Sequence, residues 1–182
     1  MRRTLRILAL LSILVTLVAA AFFTRYEILS DRLQESSSFD GIQANSVKHA
    51  YAAAQVYATL NLVLGDETSE ALVIFLGKVN EYAEQLFKFR SPDSTQEMMK
   101  DLYNNQAGIT TAQWHRQHAG KTKTVLFYLV NMTRENVLVT TLDPLPAHDE
   151  QSHPRDIGAA MQWFSQERAS IIARVTHRLS QD

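Results

Sequence analysis

The feature that most constrains this chain is an apolar run near its N-terminus. Residues 7–23 are apolar apart from Ser12 and Thr16, and a short head with three arginines, Arg2, Arg3 and Arg6, precedes them. Seventeen residues are at the lower limit for a helix that spans a bilayer. A core helix of a cytosolic protein would instead be amphipathic. The run therefore predicts that the rest of the chain is exported.

Two interpretations of this run remain open. Basic residues before it place the N-terminus in the cytoplasm under the positive-inside rule. Phe22 and Phe23 prolong the run and Tyr26 suits the interface, which favours an uncleaved, single-pass inner-membrane anchor with a periplasmic domain. Ala19-Ala20-Ala21, however, fits a small-x-small cleavage pattern. A signal peptide cleaved there would leave a periplasmic or secreted protein.

Composition narrows the function of the exported part. The 182 residues carry a net charge of −1, so no basic excess indicates a nucleic-acid partner. The chain has no cysteine, which excludes disulfides, thiolate metal sites and a catalytic cysteine. Only 6 Gly and 4 Pro are present, and this favours an all-α fold.

We predict three regions: an anchor with its extension at 1–34, a serine-rich linker at 35–44, and a compact multi-helix domain at 45–182. Helices are predicted from Asn45 or Ser46 to Leu64, from 66 to about 89, from Ser91-Pro92 to Gly108, from Thr110 to Gly120, over 122–133 and over 156–179. The second of these carries Leu72, Leu76 and Val79 along one stripe. Residues 136–141 are β-branched and predict a short extended segment.

Polar side chains stand out at one stretch of the third helix. Asp101, Asn104, Asn105 and Gly108 recur at i, i+3, i+4 and i+7, so they share one helix face. On the first helix, Asn45 and His49 lie one turn apart. These residues predict a polar site inside a helical domain.

This site has a chemical and a structural interpretation. His49 is the candidate general base, with Asp101 or Glu81 to orient it or act as a second acid. Asn45, Asn104 and Asn105 would position a substrate, or form a paired structural network. No metal or other cofactor is predicted, since His115 and His118 at i, i+3 have no evident third ligand.

The chain also resembles an uncharacterised bacterial domain family found in small exported proteins and at the ends of large toxin-like chains. Its motifs read Asn-x-x-Arg-His-Ala-(Tyr/Phe)-Trp, a later His-Glu pair and Met-Asp-Leu-x-Asn-Asn-x-x-Gly. Residues 45–51, 80–81 and 101–108 match them. The resemblance implies the same site residues, Asn45, His49, Glu81, Asp101, Asn104, Asn105 and Gly108. Lys48 replaces an arginine, Ala52 a tryptophan and Asn80 the histidine of the His-Glu pair.

Two functions follow as hypotheses. The first is a membrane-anchored, envelope-facing helical domain that binds a protein, an envelope polymer or a lipid. The second is an envelope hydrolase that uses His49 with Asp101 or Glu81 and an activated water. The missing histidine at position 80 and the absence of hydrolase and nucleotide motifs favour the first.

Overall fold

The computed structural model describes residues 28–29, 31–35, 39–87, 95–118, 122–141, 145 and 156–182, without the side chains of 81–87 and 157. Five long helices carry this part of the chain: α1 (Gly41–Leu64), α2 (Asp66–Phe87), α3 (Thr95–Gln117), α4 (Val125–Arg134) and α5 (Ile157–Leu179). No residue in these ranges forms a strand. The predicted all-α class is therefore confirmed for the described residues.

Helix α1 begins four residues earlier than predicted. The Asp40 carboxylate accepts a hydrogen bond from the Gln43 backbone N–H (2.7 Å), and the Gln43 side chain accepts one from the Asp40 N–H (3.2 Å). This capping box satisfies two backbone donors at the helix start. Asn45 is consequently a second-turn residue rather than a cap. Gly65, with a φ of 76°, follows the last residue of α1, as predicted.

The core continues to the N-terminal side of α1. Leu33 and Phe39 are buried in the same cluster as the helices, although both precede the predicted domain start at 45. Residues 31–35 are themselves helical. The region boundaries at 34 and 44 stay a prediction, but Leu33 and Phe39, which precede residue 45, pack with the helices of the predicted domain.

Helix α3 is the centre of the bundle. It packs most extensively against α1 on one side and α5 on the other, and 16 of its 23 residues are buried. The predicted end at Gly108 is wrong: α3 continues to Gln117 and absorbs the predicted short helix at 110–120. Gly108 lies inside α3, where its missing side chain lets α1 approach closely. It does not end the helix.

The apolar run 125–132 forms helix α4, within the helix predicted over 122–133. The Thr124 side chain accepts a hydrogen bond from the Phe127 N–H (3.3 Å), and Tyr128, Leu129 and Met132 point into the core. After α4, residues 137–140 form an irregular segment on the core. Helix α5 starts after Asp156, whose side chain accepts from the Ala159 N–H (2.9 Å), and buries Phe164, Ile171, Val175 and Leu179.

None of the helices in the described ranges is long and apolar enough to cross a bilayer. The predicted span at 7–23 lies outside those ranges.

Candidate functional site

The crossing of α1 and α3 determines the geometry of the predicted site. A Cβ atom built on Gly108 would lie 1.8 Å from the Ala50 carbonyl oxygen. The two backbones are therefore in direct contact at this level. Alanines 44, 50, 53, 54, 107 and 112 are all buried. Small side chains on both helices bring the residues flanking the contact close together.

His49 and Asp101 face each other across this crossing. The His49 Nε2 atom lies 3.7 Å from the Asp101 Oδ2 atom. This distance is too long for a hydrogen bond but suits an ion pair when the imidazole is protonated. The His49 side chain is 21% exposed and that of Asp101 is 12% exposed, so the pair has a narrow opening to solvent. The structure thus brings these two predicted residues together.

Asn104, predicted either to position a substrate or to belong to a paired structural network, uses its amide on the backbone of Val139. Its Nδ2 donates to the Val139 carbonyl (2.9 Å), and its Oδ1 accepts from the Val139 N–H (3.1 Å). The Ser46 hydroxyl lies 3.0 Å from the same carbonyl. Asn104 is completely buried. Its amide therefore acts as a clamp that holds the 137–140 segment to α3.

Asn105 points away from that clamp. Its Nδ2 lies against Gly77 of α2, where a built Cβ would come within 3.2 Å. The Asn105 side chain is directed toward α2, whereas that of Asn104 is directed toward the 137–140 segment. Asn105 and Asn45 are half-buried. Within the described ranges neither side chain makes a hydrogen bond to another residue.

The remaining acid of the predicted site is on α2. Glu81 belongs to this helix, but its side chain lies outside the described residues, so its proposed partnership with His49 stays a prediction. Asn80, at the position where the family carries histidine, is half-buried. No group of three or more metal-ligating side chains occurs in the part of the chain that the structure describes.

A polar cluster that sequence reasoning missed links α2, α3 and α5. The buried Gln106 amide donates to Glu70 (2.9 Å) and accepts from the Arg168 Nε (3.2 Å), while Arg168 also pairs with Glu70 at 2.7 Å. Gln113 donates to the second Glu70 oxygen (3.3 Å). Burial acts to raise the pKa of Glu70, but the hydrogen bonds from Arg168 and Gln106 outweigh it and lower that pKa.

A second missed cluster joins the α1–α2 turn to α3. The Tyr57 hydroxyl donates to the Asp66 carboxylate and accepts from Asn61 (2.8 Å), and Arg116 donates to both Asp66 oxygens (2.6 and 2.5 Å). Burial, followed by the bond to Asp66, raises the pKa of Tyr57 to about 12. Asp66 lies 9 residues from Tyr57 and 50 from Arg116, separations that no helical spacing indicates.

The predicted apolar stripe of α2 does not face the core. Phe75, Leu76 and Val79 are 58%, 45% and 44% exposed, and Leu72 is half-buried beside them. Val73, one position on from Leu72, is buried. Leu72, Phe75, Leu76 and Val79 carry no charge themselves, but Lys78 follows Phe75 by three residues and so lies beside them. We call the row Leu72, Phe75, Leu76 and Val79 the α2 face.

Comparison of the chain with protein-family models, with curated proteins and with solved structures gave no match.

Proposed function

We propose that this chain is a membrane-anchored, envelope-facing helical domain that acts by binding another protein. The observation that carries the proposal is the α2 face, in which Phe75, Leu76 and Val79 are all more than two-fifths exposed. A contiguous exposed apolar patch costs solubility unless a partner covers it. Aromatic and aliphatic side chains without charges are typical of the centre of a protein interface.

The polar residues of the motif support binding over catalysis. Asn104 uses both ends of its amide on the Val139 backbone, and the neighbouring Gln106 is occupied by Glu70 and Arg168. A substrate-positioning amide would have to leave at least one of these groups available. These side chains therefore stabilise the domain that displays the α2 face.

The membrane part of the proposal comes from the sequence. An apolar run at 7–23 behind a basic head supports a single-pass anchor with a cytoplasmic N-terminus, and the family resemblance supports export. An envelope polymer is a poorer partner for the α2 face, because sugars need polar groups that this row lacks. A lipid is the remaining alternative, and its adducts are distinguishable in the experiment below.

Photo-crosslinking tests the proposed binding. A photoreactive amino acid is placed at position 76 in the full chain, produced in its membrane, and the adducts are identified by mass spectrometry. The matched control carries the same group at Gln166, an exposed residue of α5. We expect a defined protein adduct from position 76 and none from position 166. Equal labelling from both positions would overturn the proposed binding face.

A second candidate function is supported by the His49–Asp101 pair, whose 3.7 Å separation is compatible with an imidazole base beside a carboxylate. In this alternative the protein is an envelope hydrolase that activates a water. The test asks which variant restores the phenotype of cells that lack the native protein: His49→Ala, Asp101→Asn or the double variant Phe75→Ser/Leu76→Ser. Circular dichroism checks that each variant folds. The binding function predicts that only the double variant fails. Failure of the two folded site variants alone would establish the hydrolase instead.

A further inference from the structure

We propose that residues 67–80, the first part of α2, are a releasable segment of the fold. The segment opens from the bundle as a unit while the other helices stay packed, and the Glu70 carboxylate is the latch that holds it closed. This inference goes beyond the proposed function and does not depend on which partner the α2 face binds.

Few side chains of this segment are buried. Of residues 66–80, whose side chains the structure describes, only Ser69 and Val73 are buried, whereas 16 of the 23 residues of α3 are. Val73 belongs to a small buried cluster with Ile109 and Ala112 of α3, and this cluster is distinct from the larger core. A segment with few buried apolar contacts opens locally at a lower free energy than the whole domain unfolds.

The buried hydroxyl of the segment also favours opening. Ser69 is completely buried, and within the described ranges its oxygen has no hydrogen-bond partner. A buried hydroxyl without a partner has lost its hydration and gained no bond in exchange. Water can bond to it again when the segment opens. Ser69 therefore reduces the free energy that opening requires.

Polar contacts that tie the segment to both α3 and α5 converge on Glu70. Its side chain is only 15% exposed, accepts from the Gln106 amide of α3 (2.9 Å) and pairs with Arg168 of α5 (2.7 Å). Asp66, just before the segment, pairs with Arg116, but both of these side chains are about half exposed and solvent weakens the pair. Glu70 is therefore the group whose loss should release the segment.

Opening changes the surface that α2 offers. Val73 and the half-buried Ile74 would become exposed beside Leu72 and Phe75 of the α2 face. The open state thus presents a wider apolar surface than the closed state. Any molecule that binds the open state more tightly shifts the population toward it.

Thiol labelling of the full-length chain measures the opening, because the chain has no cysteine of its own. Val73→Cys places a single thiol on the buried side of the segment. Val47→Cys, at a completely buried residue of α1 in the larger core, is the matched control. A thiol reagent reaches either sulfur only when the structure around it opens, and urea unfolding measures the global stability of each variant.

We expect Val73→Cys to react at least about tenfold faster than its own global unfolding allows, and Val47→Cys to react at the rate that global unfolding sets. Reaction of both variants at the rate of global unfolding would overturn the local opening.

Two further substitutions in the Val73→Cys chain test the latch. Glu70→Gln should speed the reaction about tenfold, since it weakens contacts that opening breaks. Asn104→Ala also lowers global stability, but the bonds to Val139 that it removes are present in both the closed and the open state. It should therefore leave the reaction rate unchanged within about twofold.

The outcomes of this comparison are distinct. If both substitutions speed the reaction in proportion to their loss of global stability, the opening is global and the releasable segment is overturned. If Glu70→Gln leaves the rate unchanged, Glu70 is not the latch.

Hydrogen–deuterium exchange of the unsubstituted chain provides a measurement that no substitution can disturb. Backbone amides of residues 72–77 should exchange at least about tenfold faster than those of residues 104–111 in α3. Their exchange should also depend less steeply on urea, because local opening exposes less surface than global unfolding. Equal protection and equal urea dependence in both helices would overturn the proposal, whereas the adducts from position 76 decide the proposed binding separately.

Discussion

At the scale of single residues, Gly108 has the least room for a side chain among the glycines that the structure describes. An alanine there would place its Cβ 1.8 Å from the Ala50 carbonyl oxygen, which is backbone and cannot rotate away. The two central helices would have to move apart, and the packing between them would be lost.

We expect Gly108→Ala to lower the free energy of unfolding by at least about 3 kcal/mol, measured by urea unfolding. Gly77→Ala is the matched control, because its Cβ would meet only the end of the Asn105 side chain at 3.2 Å. Alanine also favours a helix over glycine, so this control should stay within about 1 kcal/mol of the native protein. Similar losses in both variants would contradict the close-contact explanation.

The next prediction compares the stability effects of alanine at two adjacent asparagines. Asn104→Ala removes both bonds to Val139 and leaves a buried N–H without its partner, so we expect a loss of about 2–4 kcal/mol. Asn105→Ala changes a half-buried side chain against Gly77 and should cost less than about 1 kcal/mol. Thermal unfolding of the two variants side by side measures the difference. A larger loss at Asn105 would mean that the clamp does not stabilise the domain.

At the scale of helices, the Glu70 cluster fastens α2 and α5 to α3 through Arg168 and Gln106. The folded pKa of Glu70 is lowered. Its charge therefore stabilises the fold above the unfolded carboxyl pKa, about 4.3, and this contribution is lost as the pH falls through the lower folded value.

Glu70→Gln should accordingly destabilise the protein at pH 7 by about 1–3 kcal/mol, and the difference from the native protein should shrink below about pH 4. Urea unfolding at both pH values measures it. Glu67→Gln, an exposed acid one turn earlier on the same helix, controls for a change of charge alone. A difference that does not depend on pH would exclude the ionised Glu70 as its cause.

The helices and the residues of the polar face could be predicted from spacing and caps, but the groups that these residues contact could not. His49 and Asp101 were predicted because both break the apolar pattern of their helices. Asn104 and Val139 are 35 residues apart, and nothing local marks that contact. The helix end predicted at Gly108 is wrong because a glycine is typical both of a helix end and of a close approach between helices. On α2, Val73 and Leu76 are both apolar and lie only three residues apart, so periodicity could not tell the buried residue from the exposed one.

At the scale of the whole molecule, the predicted anchor decides whether the domain remains at the membrane. If residues 7–23 form an uncleaved anchor, the intact mass of the protein isolated from membranes should include Met1 or begin just after it. Cleavage after Ala21 would give a chain that starts at Phe22 and would refute the anchor.

The clamp on Val139 has a consequence for how the domain opens. Residues 137–140 form no helix, and an irregular segment would ordinarily exchange its amide hydrogens through small local fluctuations. The Val139 amide is bound to a side chain in the middle of the most buried helix, so it can be released only when α3 itself separates from its neighbours. In hydrogen–deuterium exchange this non-helical amide should therefore be as slow as the core of the bundle.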